Sequence, residues 1–104
     1  MLPKNNNKIE KQLRKKAGEK VYARGVGYFN NKKIFNLTVE KFEDQNNYLS
    51  ISGEVYGDDI YVGNFIFDLK KNIILDNCCD CPYVGFCKHT VALALEFNDR
   101  ILNK

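Results

Sequence analysis

Residues 77–95, NCCDCPYVGFCKHTVALAL, hold all four cysteines and the single histidine of the chain. These five side chains fall between positions 78 and 89, a clustering that random placement would rarely produce. Thiolate and imidazole groups are the ligands that zinc prefers in proteins. A set of buried thiols beside a hydrogen-bonded histidine would also account for the residue types, but it requires five independent coincidences. The clustering therefore favours a metal site.

The rest of the sequence predicts a cytoplasmic protein without a membrane partner. Near the start there is no apolar run of about 7 to 15 residues, as a secretory signal requires, and nowhere do about 18 apolar residues follow one another. In a reducing compartment, clustered thiols are more typical of metal or redox sites than of disulfides. This expectation agrees with a metal site in residues 77–95.

Length and composition predict one domain over residues 1–104. The chain is 44% hydrophobic, enough for one modest core, and the polar residues 1–7 are expected to form a disordered lead-in. The net charge of +3 is uneven, because residues 1–41 hold eleven lysines and arginines against three acidic residues. Residues 42–104 hold five against ten. A basic face of this kind can attract a polyanion.

Helical periodicity follows the lead-in. Apolar residues recur every four positions from Ile9 to Ala17, which predicts an amphipathic helix. A second helix is predicted over residues 19–31, although Gly25 and Gly27 each lower its propensity by about 1 kcal/mol. Tertiary packing must compensate for this loss, and a close approach to a sheet would explain both glycines.

The apolar period changes to two after this helix and back to helical at the end of the chain. Phe35, Leu37 and Val39 alternate with polar residues and are expected to face the core. The pattern predicts a fold of class α+β, with N-terminal helices, an antiparallel sheet of three or four strands, and a metal-binding knuckle leading into a C-terminal helix. The further strands are predicted at residues 49–55, 60–69 and 73–76, and the last helix at residues 90–102.

Spacing within the cluster predicts how the ligands converge. Side chains two apart on an extended segment point to the same side, whereas two apart on a helix they diverge. We therefore expect Cys87 at or before the start of the last helix, and His89 in its first turn. Three cysteines and one histidine complete a tetrahedral zinc site with no position for catalytic water. Spacing alone leaves open whether Cys78 or Cys79 pairs with Cys81.

The cluster resembles a SWIM zinc finger, whose pattern is C-x-C, a spacer, then C-x-H. Here the pattern is Cys79-Asp80-Cys81 followed by Cys87-Lys88-His89. Upstream, the segment from Arg24 to Phe29 is similar to one that leads into bacterial members, the N-terminal regions of Swi/Snf-like helicase-related ATPases. The resemblance implies one structural Zn²⁺ bound by Cys79, Cys81, Cys87 and His89, with Cys78 outside the set.

The resemblance also implies a binding module for nucleic acid or protein. Our first hypothesis is an accessory module that binds nucleic acid, DNA in particular, in a helicase or remodelling context. The chain has no G-x-x-x-x-G-K-[ST] phosphate loop and so is not itself a motor; it is freestanding or a piece of a larger ATPase. The expected phosphate contacts, which could equally be a solvated helix face, are Lys11, Arg14, Lys15, Lys16, Lys20, Arg24 and Lys88.

The alternative hypothesis is a zinc-stabilised interaction module that docks onto a partner ATPase or recombination protein. Surface tyrosines would contribute to such a contact, and Tyr48, Tyr56 and Tyr61 are the candidates. An enzyme with a small-molecule substrate is not expected, because a catalytic cysteine needs a free histidine base and the single histidine is taken by the metal.

Overall fold

The computed structural model describes residues 4–44, 47–83 and 85–103. Within these ranges the fold is α+β, as predicted, with two N-terminal helices, an antiparallel sheet and a C-terminal helix. The elements in chain order are α1 (Lys4–Ala17), α2 (Glu19–Asn30), β1 (Ile34–Lys41), β2 (Tyr48–Tyr56), β3 (Ile60–Asp68), β4 (Ile73–Cys79) and α3 (Lys88–Phe97), which continues into one π-helical turn (Asn98–Leu102).

Helix α1 begins earlier than the apolar periodicity predicts. Residues 4–7, which composition predicts to be part of a disordered lead-in, extend the helix toward the N-terminus, whereas residues 1–3 lie outside the described part. Once a helix is nucleated, each further residue adds a backbone hydrogen bond, so the polar residues before the apolar stripe can join it. The stripe itself is as predicted, with Ile9 and Leu13 buried.

The sheet is a meander in the order β1-β2-β3-β4, with every neighbouring pair antiparallel. The predicted inward orientation of Phe35 is wrong, because the register of β1 shifts between Phe35 and Thr38. Asn36 has a φ of 56° at this irregularity, where a short polar side chain tolerates the left-handed region. Ile34 is buried in place of Phe35, which is 46% exposed.

Helix α3 lies at the centre of the molecule, with contacts to α1, α2 and every strand of the sheet. Two glycines permit these close approaches. A Cβ at Gly25 of α2 would overlap the Val91 side chain, and one at Gly53 of β2 would lie 2.6 Å from Leu93 Cδ1. The expectation that the α2 glycines face the sheet is therefore wrong: Gly25 faces α3, and a Cβ at Gly27 would meet nothing within 4 Å.

Two further contacts join the helices to the sheet. At the C-terminal end of α3, Phe97 packs edge-on against Phe65 and Phe67 of β3, with ring centroids 5.7 and 5.3 Å away. On α1, the Gln12 side chain accepts a hydrogen bond from Ile74 N and donates one to the Asn72 carbonyl, at 2.8 and 2.6 Å.

Within the described part of the chain, no helix is both long and apolar enough to cross a membrane.

Candidate metal centre

The first two ligands of the centre are positioned by the end of β4. Cys79 is the last residue of this strand and pairs with Gly63 of β3. Asp80 then extends the attachment, because its Oδ1 accepts a hydrogen bond from Val62 N at 2.9 Å and its own N donates to the Val62 carbonyl at 3.3 Å. This anchoring holds the chain that leads directly to Cys81. The sequence motif treats Asp80 as a variable position and gave no signal of this role.

The other two ligands are positioned by the start of α3, as the sequence predicts. Cys87 is the N-cap residue, with extended backbone, and its carbonyl accepts the first helical hydrogen bond from Val91 N at 3.1 Å. His89 lies in the first helical turn and is 3% exposed. A change from extended to helical backbone at Cys87 allows two side chains only two positions apart to converge.

The four ligand atoms have the spacing that a tetrahedral zinc ion requires. His89 Nδ1 lies 3.7 Å from Cys79 Sγ and 3.9 Å from Cys87 Sγ, and the four ligand atoms, one from each residue, all lie within 4.8 Å of one another. Zinc–sulfur bonds of about 2.3 Å in a tetrahedron place ligand atoms about 3.8 Å apart. Cys79, Cys81, Cys87 and His89 are therefore arranged to bind one zinc ion, which would cross-link β4 to α3.

The electrostatics of the centre favour a thiolate at Cys87. The hydrogen bond from Cys79 lowers the pKa of the Cys87 thiol, and hydrogen bonds from His89 and Thr90 lower it further against the effect of burial. The same hydrogen bond with Cys87 raises the pKa of Cys79, and burial adds to this effect. The Thr90 hydroxyl, 3.4 Å from Cys87 Sγ, is well placed to donate to the thiolate. Metal affinity depends on such deprotonated thiols.

Two aromatic rings enclose the His89 imidazole. Tyr61 stacks on it with centroids 4.2 Å apart and an interplanar angle of 22°, and the Tyr28 ring lies 5.4 Å away at 58°. His89 Nε2 is buried and has no hydrogen-bond partner among the described residues, whereas Nδ1 faces the sulfur atoms. Nδ1 is therefore the metal-binding nitrogen. Tyr61, predicted as a surface contact for a protein partner, instead packs against the centre.

The remaining cysteine lies apart from the ligands. Cys78 is exposed and pairs with Asn64 of β3, so its side chain is on the face of the sheet opposite to Cys79. Adjacent residues of a strand point to opposite faces, and the register of β4 assigns the inner face to Cys79. The geometry thus decides between the two pairings that spacing left open.

A closed set of three thiolates and one imidazole, with no place for a reacting water, defines the class of structural zinc fingers. The family model of the SWIM zinc finger matches residues 59–98, which contain β3, β4, all four ligands and α3. Residues 59–98 are therefore similar to a SWIM zinc finger and hold four ligands arranged to bind one zinc ion. Searches of curated proteins and of solved structures find no match to the chain.

The predicted phosphate contacts fall into two groups. The α1 group, Lys11, Arg14, Lys15 and Lys16, is exposed, and Arg14 pairs with Glu19 at 3.0 Å. Arg24 of α2 and Lys88 of α3 lie beside the metal centre and together line a recess with Lys33, a lysine not predicted as a contact. Lys20 is exposed one helical turn before Arg24. The fold thus brings cations from α2, α3 and the segment before β1 to one place.

Proposed function

We propose that the domain binds nucleic acid, with DNA as the expected partner, as a non-catalytic accessory module of a cytoplasmic helicase or remodelling system. One observation carries this proposal: Arg24, Lys33 and Lys88 line a single recess, and none of them forms an ion pair with a carboxylate in the described ranges. Unpaired cations that face one recess are available for phosphate oxygens. Such contacts give affinity without sequence preference.

Zinc contributes indirectly to this function. Lys88 lies between the ligands Cys87 and His89, and Arg24 is one residue before Gly25, where α2 packs against Val91 of α3. The metal would fix the start of α3 and with it the position of Lys88 relative to α2. In this role the α1 group attracts the polyanion over a longer distance, while Arg24 and Lys88 contact the phosphates directly.

The test is a titration of labelled DNA with the zinc-loaded chain at two salt concentrations. If three phosphates are neutralised, affinity should fall about 40-fold between 50 and 200 mM salt. The double variant Arg24→Gln, Lys88→Gln should reduce the slope of log affinity against log salt by about 2. The matched variant Lys15→Gln, Lys16→Gln should change it less. No DNA binding by the zinc-loaded chain at low salt would contradict the proposal.

A second candidate function, docking onto a partner ATPase or recombination protein, is favoured by the outer face of the sheet. Strand pairing brings Phe35, Tyr56, Ile60 and Val62 onto this face, where Ile60 is 50% and Val62 51% exposed. The Phe35 and Tyr56 rings are in tilted contact, with centroids 4.7 Å apart. If docking is the function, Ile60→Ser with Val62→Ser should abolish retention of an identified partner but leave DNA titrations unchanged. Tyr48, in contrast, packs against Phe42.

A further inference from the structure

The recess beside the metal centre is part of a longer groove. A cleft of about 160 Å³ reaches the metal ligands Cys81, Cys87 and His89 and is also lined by Tyr61, Tyr83, Arg24 and Lys88. It adjoins the recess of about 290 Å³ that contains Lys33, and Arg24 and Lys88 line both. We name the two together the knuckle groove. The wall formed by α2 and the start of α3 is basic, and the rings are those of Tyr83 in the segment before α3, Tyr61 of β3 and Tyr28 of α2.

We propose that the knuckle groove binds a single strand of nucleic acid, with bases stacked on tyrosine and phosphates on Arg24 and Lys88. This inference rests on the proposed function and adds strandedness to it. Tyr83 is 54% exposed at the mouth of the groove, and Lys88 Nζ lies 5.6 Å from the centre of the Tyr28 ring. Aromatic rings interleaved with cations are the usual platform for single strands, because every base has a face that can stack.

The arrangement of cations and rings favours a single strand over a duplex in the groove. Arg24 and Lys88 line both parts of the groove, and Tyr61 and Tyr83 line the part beside the metal centre. The groove therefore offers cations and aromatic rings side by side. A single strand can turn its one phosphate backbone toward Arg24 and Lys88 and its bases toward the rings. A duplex has two backbones and keeps its bases stacked on one another, so its bases cannot reach the tyrosines.

The test compares three labelled probes of about 15 units, an oligothymidine, an oligouridine and a DNA duplex, by fluorescence anisotropy with the zinc-loaded full chain. At least one single strand should bind about tenfold more tightly than the duplex, and the tighter of the two single strands identifies DNA or RNA as the partner. Equal or tighter binding of the duplex would overturn the single-strand inference and leave the proposed function intact. Absence of binding by all three probes would overturn both.

A pair of tyrosine variants locates the stacking. Tyr83→Ala should weaken single-strand binding about tenfold, the typical loss for one stacked base, with duplex binding and zinc content unchanged. Tyr56→Ala, at a tyrosine 38% exposed on the outer face of the sheet, is the matched control and should bind like the wild type. Unaltered single-strand affinity in Tyr83→Ala, or equal losses in both variants, would overturn the assignment to the knuckle groove.

Discussion

The two ends of α3 are attached to the sheet by different forces. At the N-terminal end, Cys87 and His89 face Cys79 and Cys81 across a metal centre. At the C-terminal end, Phe97 is 1% exposed and packs on Phe65 and Phe67 of β3. Attachment of the first end therefore depends on an ion, whereas attachment of the second is intrinsic to the chain. The N-terminal end of α3 thus depends on bound metal for its attachment to the sheet, whereas the C-terminal end depends only on side-chain packing.

The segment that joins β4 to the N-terminal end of α3 has little regular backbone structure in its described residues. In the described residues between β4 and α3, no helix or strand is formed, and the chain there includes Pro82 and Gly85, which has a φ of 108°. Such a segment supplies few backbone hydrogen bonds of its own, so ligand binding to the metal is its main constraint. Substitutions at each end, and in the middle of α3, should separate these contributions.

The largest effect is expected from Cys87→Ser. Structural zinc sites contribute on the order of 10 kcal/mol of binding free energy to folding, comparable with the total stability of a small domain. We expect zinc content to fall from one ion per chain to none and the thermal unfolding transition to broaden or disappear. Metal analysis and circular dichroism measure both. As a control, Cys78→Ser removes the cysteine outside the ligand set and should keep one zinc ion per chain. If Cys87→Ser retained both its zinc and the wild-type Tm, the structural role of the metal would be refuted.

A smaller effect is expected at the C-terminal end of α3, which is attached by packing alone. Phe97→Ala removes a fully buried ring and should lower the free energy of unfolding by about 3 to 5 kcal/mol. The folded fraction should still bind one zinc ion, because the ligands are at the other end of the helix. Urea denaturation of the zinc-loaded variant measures the loss. Phe35→Ala, at a half-exposed ring, serves as the control, and an equal loss in both variants would be inconsistent with the described core.

The smallest effect is expected in the middle of α3, where α2 crosses it. Gly25→Ala should destabilise the fold by about 1 to 2 kcal/mol, since overlap with Val91 outweighs the gain in helix propensity. Gly27→Ala, two residues along the same helix, has open space and should instead stabilise the fold by about 1 kcal/mol. The two unfolding curves should shift in opposite directions. Shifts in the same direction would contradict the close contact between α2 and α3.

Much of this fold could be predicted from local pattern. The period of apolar residues located α2, the strands and α3 to within a few residues, because one face of each element is buried and the other is not. Phe35 was assigned to the wrong face because a register shift in one strand changes the phase of alternation and leaves no mark in composition. The contact of Gly25 with Val91 was equally hidden, since it depends on which element packs on α2.

The four ligands of the candidate site were predicted from the sequence, but the residues that surround them were not. Ligand chemistry restricts residue type and spacing, so Cys79, Cys81, Cys87 and His89 stand out in the sequence. Asp80 and Tyr28 do not, because the hydrogen bonds of Asp80 to β3 and the ring contact of Tyr28 with His89 depend on tertiary structure. Spacing alone could not choose between Cys78 and Cys79; the resemblance to the C-x-C pattern implied Cys79, and the register of β4 agrees with it.

The Gln12 side chain has a consequence for how copies of this chain behave toward one another. Among the described residues β4 has a strand neighbour on only one side, and the Gln12 amide bonds to Ile74 N and the Asn72 carbonyl on its open side, as a peptide group of a fifth strand would. An uncovered strand edge is a template for pairing with another molecule. Helix α1 thus covers the start of this edge, and its detachment would leave the backbone groups of Asn72 and Ile74 open to pairing with another strand.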